Sequence, residues 1–355
     1  MLKSGEFTLV LSGGGMRGLS HIGVFRALEE RGLRPSLVVG TSMGALLGGA
    51  WAAGMPLGEM HERARRLRRR DVFQIAHADM ALRRMRAPAI YRAEPLERLA
   101  LDVVGQRTFA DLPLRLLVNT VDLHSGVQVL WGAPGLDDGR VADAIFASCA
   151  LPGIFPPREI GGRTFVDGAV VDNLPVRAAA AARRQPILAI DVGASGMIRA
   201  EHETSGFAAT YMRAFEILMQ TLSARNLAAW TEPALVLVRP RVEHVPMFTF
   251  DRTPELLEEG FRAVSGAIRD LEAGGGLNGA GIYPKRQMQI MLDGSRCVGC
   301  GTCASMAPGV FRMNGGGKAE VVAPRQVWSP IDGGYVLNCP TFAISARAAA
   351  RTSGH

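Results

Sequence analysis

The stretch Ser36-Leu-Val-Val-Gly-Thr-Ser-Met-Gly-Ala-Leu-Leu47 carries no charge and changes character in its middle. Leu37 to Val39 reads as a short apolar strand, Gly40-Thr41-Ser42-Met43-Gly44 as a sharp turn, and the residues from Ala45 toward Ala53 as a small-residue helix. Gly-x-Ser-x-Gly between a strand and a helix is the nucleophile-elbow pattern, in which glycines flank the serine because side chains there would strike the neighbouring strand and helix. Such a turn presents Ser42 Oγ at the end of a sheet, within reach of a substrate carbonyl. Residues 36–55 are uncharged, but five of them are glycine, and burial between a sheet and helices explains their apolarity better than a membrane span does.

Upstream, Phe7 to Leu11 is a β-rich run that leads into Ser12-Gly-Gly-Gly-Met-Arg-Gly18 and then a helix with apolar spacing at Ile22, Val24, Phe25 and Leu28. The loop also matches Gly-x-Gly-x-x-Gly, so a dinucleotide site has to be weighed. That site needs an acidic residue at the end of the second strand to hold a ribose, and Gly40-Thr41-Ser42 stands there instead. The loop therefore reads as backbone N–H groups of Gly13, Gly14 and Gly15 at a helix N-terminus, aimed at a developing oxyanion. Arg17 is expected to orient this loop or to attract an anionic head group. A nucleophilic serine also needs a base. His21, one turn into the first helix, reads as a helix-surface residue or one standing behind the site. His244, in Arg241-Val-Glu-His-Val-Pro246, has no context that marks it as a base.

Downstream, strands are expected at Leu114–Asn119, Gln128–Trp131, Thr164–Val166, Pro186–Asp191 and Leu235–Val238. Helices are expected at Val141–Leu151, 206–230 and Pro254–Leu271. Strands alternating with helices imply a mostly parallel sheet covered on both faces. Residues 59–71, with Arg83, Arg84 and Arg86 beyond them, are strongly basic. They read either as a solvated helix surface or as a cap that draws anionic lipid. Few aromatics interleave with these charges, so nucleic acid is not expected.

The chain has 355 residues, a formal charge of +7 and five cysteines. Its length allows one large domain and one small one. The glycine-rich residues 274–284 read as a linker between domains at 1–273 and 285–355. No secretory signal is evident at the N-terminus, so a cytoplasmic location is expected, with peripheral membrane contact as an option. Cys149 stands alone and reads as a small buried hydrophobe. Cys297-x-x-Cys300-x-x-Cys303 followed by Cys339-Pro340 has the spacing of bacterial iron–sulfur ligation, whereas zinc more often takes two separated Cys-x-x-Cys pairs.

Together, Gly13-Gly-Gly-Met-Arg-Gly18, His21-Ile-Gly-Val24, Gly40-Thr-Ser-Met-Gly44, Ala147-Ser-Cys-Ala-Leu-Pro152 and Asp167-Gly-Ala169 resemble the patatin-like phospholipase family in order and spacing, over nearly all of residues 7–272. The likeness is greatest to its compact bacterial members. It implies a three-layer α/β/α sandwich and a Ser–Asp dyad in place of a Ser–His–Asp triad. By position, Ser42 is then the nucleophile and Asp167 the base. Gly13, Gly14, Gly15 and Arg17 belong to the oxyanion loop, and Ala169 stands where many members carry glycine. The implied activity is hydrolysis of a lipid ester: a phospholipid, a lysophospholipid or a simpler acyl ester.

Residues Met288 to Ala346 resemble single-cluster bacterial ferredoxins, a small α+β fold. The likeness rests on the four cysteines together with Asp293, Pro308-Gly-Val-Phe311, Asn314-Gly-Gly-Gly-Lys318 and Cys339-Pro-Thr-Phe-Ala-Ile344. It implies that Cys297, Cys300, Cys303 and Cys339 hold a [4Fe–4S] cluster, with a [3Fe–4S] form available by oxidative loss. Ferredoxins are usually acidic, but residues 284–355 hold eight Lys/Arg against three Asp/Glu, a net of +5. An acidic redox partner or an anionic membrane surface suits that charge. The competing reading is an electron-transfer or redox-sensing protein whose larger domain binds lipid or a partner.

Overall fold

The computed structural model describes residues 2–77, 88–193 and 205–349. Its frame is a nine-stranded sheet. β1 (Thr8–Leu11), β2 (Leu37–Thr41) and β3 (Leu116–Asp122) lie side by side in parallel, and β7 (Ile187–Ile190), β8 (Leu235–Val238) and β9 (Ile282–Tyr283) continue the parallel sheet from the other side of β1. Three short antiparallel strands finish the β3 edge: β4 (Gln128–Trp131), β5 (Arg158–Ile160) and β6 (Arg163–Asp167). The expected mostly parallel sheet is present. β9 departs from the reading of residues 274–284 as linker, because Ile282 and Tyr283 pair with Leu235 and Val236 and are buried in the main sheet.

β1, β2, β7 and β8 are buried along their whole length, as strands covered on both faces are. Alternation along each strand splits the core in two. Leu9, Leu11, Val38, Val118, Leu188 and Ile190 pack into the layer of α1 (Ser20–Glu29), α2 (Met43–Ala52), α6 (Val141–Cys149) and α9 (Thr253–Ala273). Val10, Val39, Leu117, Ala189 and Leu237 face the opposite way, onto α7 (Val176–Ala182) and the end of α8 (Phe207–Ala228). The result is a three-layer α/β/α sandwich. Among the described residues, the α-helices α3 (Leu57–Arg66), α4 (Arg69–Val72) and α5 (Glu94–Val104) lie between α2 and β3 in the chain. No described helix is long and apolar enough to cross a membrane, and residues 36–55 form β2, the elbow and α2.

The small C-terminal unit has its own sheet, with β10 (Arg286–Leu292) between β13 (Arg325–Trp328) and β14 (Ile344–Ala348), all antiparallel. The hairpin of β11 (Phe311–Met313) and β12 (Ala319–Val321) and two short helices, α10 (Thr302–Met306) and α11 (Gly334–Leu337), complete it. Its core is built from Ile290, Cys303, Phe311, Ala319, Tyr335 and Ile344. Arg239, just past β8, joins the two units: Nε lies 3.2 Å from Asp191 Oδ2, and a guanidinium N–H donates to the Pro330 carbonyl at 2.8 Å.

Candidate active site and cysteine cluster

The chain leaves β1 for β2 on one side, while β7 flanks β1 on the other. Ligand sites in such sheets gather where the strand order reverses, beyond the carboxyl ends of the strands. The β1–α1 loop and the β2–α2 elbow both lie there. Ser42 sits at φ 54°, ψ −123°, a left-handed backbone that a non-glycine residue adopts only when its surroundings enforce it. Both flanking glycines are sterically required. A methyl group on Gly44 would come within 2.3 Å of the Leu11 carbonyl oxygen, and one on Gly40 within 2.6 Å of Ala45 Cα. The elbow is tied down by Ser148 near the end of α6. Its hydroxyl accepts from the Ser42 N–H at 2.8 Å and donates to the Asn119 carbonyl at 2.7 Å.

Asp167 ends β6 and is 2% exposed. Burial pushes its carboxyl up to about 7, against the opposing pull of hydrogen bonds from the Ala169 N–H and the Ser42 side chain. The Ala169 N–H donates to Asp167 Oδ1 at 2.9 Å. The structure thus brings Ser42 and Asp167 together. Cys149 is a third neighbour. Burial pushes its thiol well above the usual range, the Asp167 charge adds to this, and a hydrogen bond with Ser42 opposes it. The thiol is therefore protonated, in keeping with an inert role.

The glycine loop is clamped from below. Asn173 Oδ1 accepts from the Gly13 N–H at 3.1 Å, and its Nδ2 donates to the Gly13 carbonyl at 3.2 Å. The Gly13 N–H is thus engaged within the protein. Among the described residues, the N–H groups of Gly14 and Gly15 have no protein acceptor. Gly13 also lies against Ser42: a methyl placed on it would be 2.9 Å from Ser42 Cβ.

Arg17 is fully buried. Its Nε donates to the Val245 carbonyl at 2.7 Å, and another guanidinium nitrogen lies 3.4 Å from Glu216 on α8. It fastens the loop to the segments that wall the site. The head-group role open to it in the sequence is excluded by this burial. His21 is likewise buried rather than on a helix surface. Its Nε2 is 3.0 Å from the Ser12 carbonyl, and desolvation lowers its pKa to about 4. It supports the loop from behind as a neutral ring. His244 pairs with Glu255 on the surface. Among the described residues, no histidine lines the pocket around Ser42.

That pocket holds about 750 Å³ of empty space, its open mouth included, and its walls are almost wholly apolar. Leu46, Leu96, Leu151, Phe155, Met219 and Phe248 face it, and Ser42, Asp167 and the glycine loop supply its polar atoms. Arg83, Arg84 and Arg86 lie outside the described residues.

In the small unit, Cys297, Cys300, Cys303 and Cys339 line one pocket, and none forms a disulfide. No group of three or more His, Cys, Asp or Glu among the described residues converges closely enough for a single ion. Four thiols lining one pocket are the donor set of an iron–sulfur cluster. The sulfurs also have donors. The Ala343 N–H lies 3.3 Å from Cys339 Sγ, and hydrogen bonds from the Thr302 side chain and N–H bring the Cys300 thiol down. Desolvation raises Cys303, the most buried of the four.

Residues 9–180 match the patatin-like phospholipase family, and residues 292–346 match the 4Fe-4S single cluster domain of Ferredoxin I. An uncharacterized NTE family protein of Mycobacterium tuberculosis is 34% identical over 193 residues, which are 54% of this chain and 51% of that protein. Lysophospholipase NTE1 of Saccharomyces cerevisiae is 31% identical over 197 residues, 55% of this chain but 11% of its own length. The chain thus spans about half the length of the mycobacterial relative and far less of the yeast one. The crystal structure of VipD from Legionella pneumophila overlaps 74% of this chain and 66% of its own, at 13% identity and a TM-score of 0.42.

Proposed function

We propose that the patatin-like domain is a serine acyl hydrolase acting on lipid esters through a Ser42–Asp167 dyad. The observation that carries this is a buried carboxyl, raised to about 7, that lines one apolar pocket together with a strained serine. A base is most useful when its pKa lies near the working pH. Asp167 meets that condition through burial, without a histidine.

In the first half-reaction Asp167 accepts the Ser42 proton as Oγ attacks the ester carbonyl. The N–H groups of Gly14 and Gly15 receive the developing oxyanion. Collapse of the tetrahedral adduct breaks the ester C–O bond, and Asp167 returns the proton to the departing alcohol. In the second, Asp167 takes a proton from water. The resulting attack on the acyl-enzyme releases the fatty acid, and Ser42 recovers the proton. The acyl chain lies along the apolar walls, gaining about 0.8 kcal/mol for each CH2 withdrawn from water.

Cys297, Cys300, Cys303 and Cys339 would hold an iron–sulfur cluster, [4Fe–4S] by ligand count. Such a cluster supplies one-electron transfer, which ester hydrolysis does not need. Its role in this reading is redox sensing or electron exchange with a partner protein. The test is anaerobic purification of the full chain, followed by hydrolysis of a short-chain aryl ester and a phospholipid with the cluster oxidised and then reduced. Ser42→Ala should abolish turnover of both esters. Retained turnover in Ser42→Ala would refute the dyad. Absence of turnover in the parent protein would favour an electron carrier with a lipid- or partner-binding domain.

A further inference from the structure

The Leu67–Phe73 segment serves two cavities at once. Leu67, Val72 and Phe73 line the acyl pocket, while Arg68, Arg69 and Arg70 between them line an adjoining open groove. The segment after Met247 behaves in the same way. Met247 and Phe248 face the pocket, and Phe248 continues with Thr249, Phe250 and Asp251 into the groove. Phe73 stacks edge-on against both Phe248 and Phe250, at 5.1 and 5.8 Å between ring centres, so one aromatic cluster forms the partition.

Arg65 joins the groove from the end of α3. Among the described residues, the groove therefore presents four guanidinium groups and one carboxylate, Asp251. Arg65 lies near Glu62, and Arg70 is loosely placed at 3.9 Å from Asp71. Arg68 and Arg69 differ. Arg68 donates to the Arg65 and Leu67 carbonyls, and Arg69 donates to the Tyr91 hydroxyl and lies over the Phe73 ring. Neither has a carboxylate partner among the described residues. Both are anchored by neutral groups, so their charge is held in place without being neutralised.

A lipid whose acyl chain fills the pocket carries its polar head at the rim. Guanidinium groups are suited to phosphate, which they bind through paired charge-assisted hydrogen bonds. We propose that the Arg65/Arg68/Arg69/Arg70 groove is the head-group subsite, and that it selects acyl esters bearing a phosphate. The proposal rests on the hydrolase reading for the acyl chain's position, but its test does not need turnover.

The probes are hexanoyl glycerol 3-phosphate and hexanoyl glycerol, soluble esters that differ only in the phosphate. Their binding to full-length Ser42→Ala protein is measured by calorimetry, and their kcat/KM on the active protein. Preference for the phosphate ester is expected in both. Arg68→Gln combined with Arg69→Gln should reduce that preference about tenfold, as expected for losing exposed charge-assisted contacts. Arg68→Lys with Arg69→Lys should keep most of it. A preference unchanged by the Gln pair would overturn the proposal. So would a preference that appears only on anionic vesicles, which would assign the arginines to surface adsorption, or equal competition by inorganic phosphate alone. Phosphate-selective binding without turnover of either ester would support the subsite while refuting the hydrolase.

Discussion

Asp167→Asn should inactivate the protein and stabilise it, with a pH dependence that burial dictates. The carboxyl titrates near 3.8 when unperturbed and near 7 in the fold, where desolvation dominates. Below pH 3.8 it is protonated in both states and costs the fold nothing. As pH rises from there to 7, the unfolded chain ionises freely while the folded one resists. The fold loses stability across that window, and the full penalty stands above it. Raising the carboxyl from 3.8 to about 7 corresponds to on the order of 4 kcal/mol. Asparagine keeps an oxygen for the Ala169 N–H and carries no titrating charge. The variant should therefore gain on the parent by on the order of 4 kcal/mol more at pH 8 than at pH 4. Urea unfolding at the two pH values, followed by the fluorescence of Trp51, which is buried and stacked on Phe25 in the same domain, reads this directly. In parallel, kcat/KM of the parent should rise with pH to a plateau through about 7. A stability difference that does not vary with pH would mean that Asp167 ionises in the ordinary range, and the case for it as a neutral-pH base would fail.

Asn173→Ala removes both hydrogen bonds to the Gly13 peptide and leaves buried backbone groups unpaired, at a cost of about 1–3 kcal/mol in unfolding free energy. Because the loop it clamps lies against Ser42, kcat should fall about 10- to 100-fold with KM little changed, which steady-state kinetics on an aryl ester would show. Gly44→Ala drives a methyl group into the Leu11 carbonyl and should prevent accumulation of folded protein, whereas Gly58→Ala meets nothing within 4 Å in α3 and should be neutral or stabilising by about 0.5–1 kcal/mol; thermal melts compare the two. Cys300→Ser should lower iron and sulfide per chain and bleach the visible absorbance of anaerobically purified protein, while Cys149→Ser, remote from that cavity, should retain both.

The sheet was legible because its strands are short uncharged runs and its helices carry clear apolar spacing. The elbow was legible for a different reason. Gly40 and Gly44 are demanded by atoms within 3 Å, so the local sequence records a local steric fact. The same holds for the close cysteine spacing, which mirrors one shared cavity. What the sequence did not reveal acts across long separations. Asn173 reaches Gly13 over 160 positions, and Ser148 reaches Ser42 over 106. Ser148 stands within the Ala147–Pro152 motif and Asn173 just before Leu174-Pro175, but neither context says which distant backbone group the side chain meets. For Arg17 and His21 the sequence left two readings open, one solvent-facing and one behind the loop, because a charged or titratable side chain early in a helix ordinarily faces water. Here residues 243–245 and Glu216 of α8 meet the Arg17 guanidinium, a contact no local pattern announces. The strand at Ile282–Tyr283 was hidden by the glycines before it, and only two residues long it has no period to read.

The apolar walls of the pocket serve binding and chemistry together. A histidine base titrates near neutrality without help, so a triad can stand in a wet cleft. An aspartate cannot, since its ordinary pKa leaves it a weak base. Asp167 becomes adequate only where water is withheld, and the side chains that withhold water are the same Leu, Phe and Met residues that would hold an acyl chain. In this reading, lipid preference and a base without histidine have one physical source. It also explains the separation of charge along the Leu67–Phe73 segment. Arginines facing the pocket would stabilise the Asp167 carboxylate and return it toward its ordinary acidity. Directed into the adjoining groove, beyond the aromatic partition, they are free to meet a phosphate while the base remains in an apolar setting.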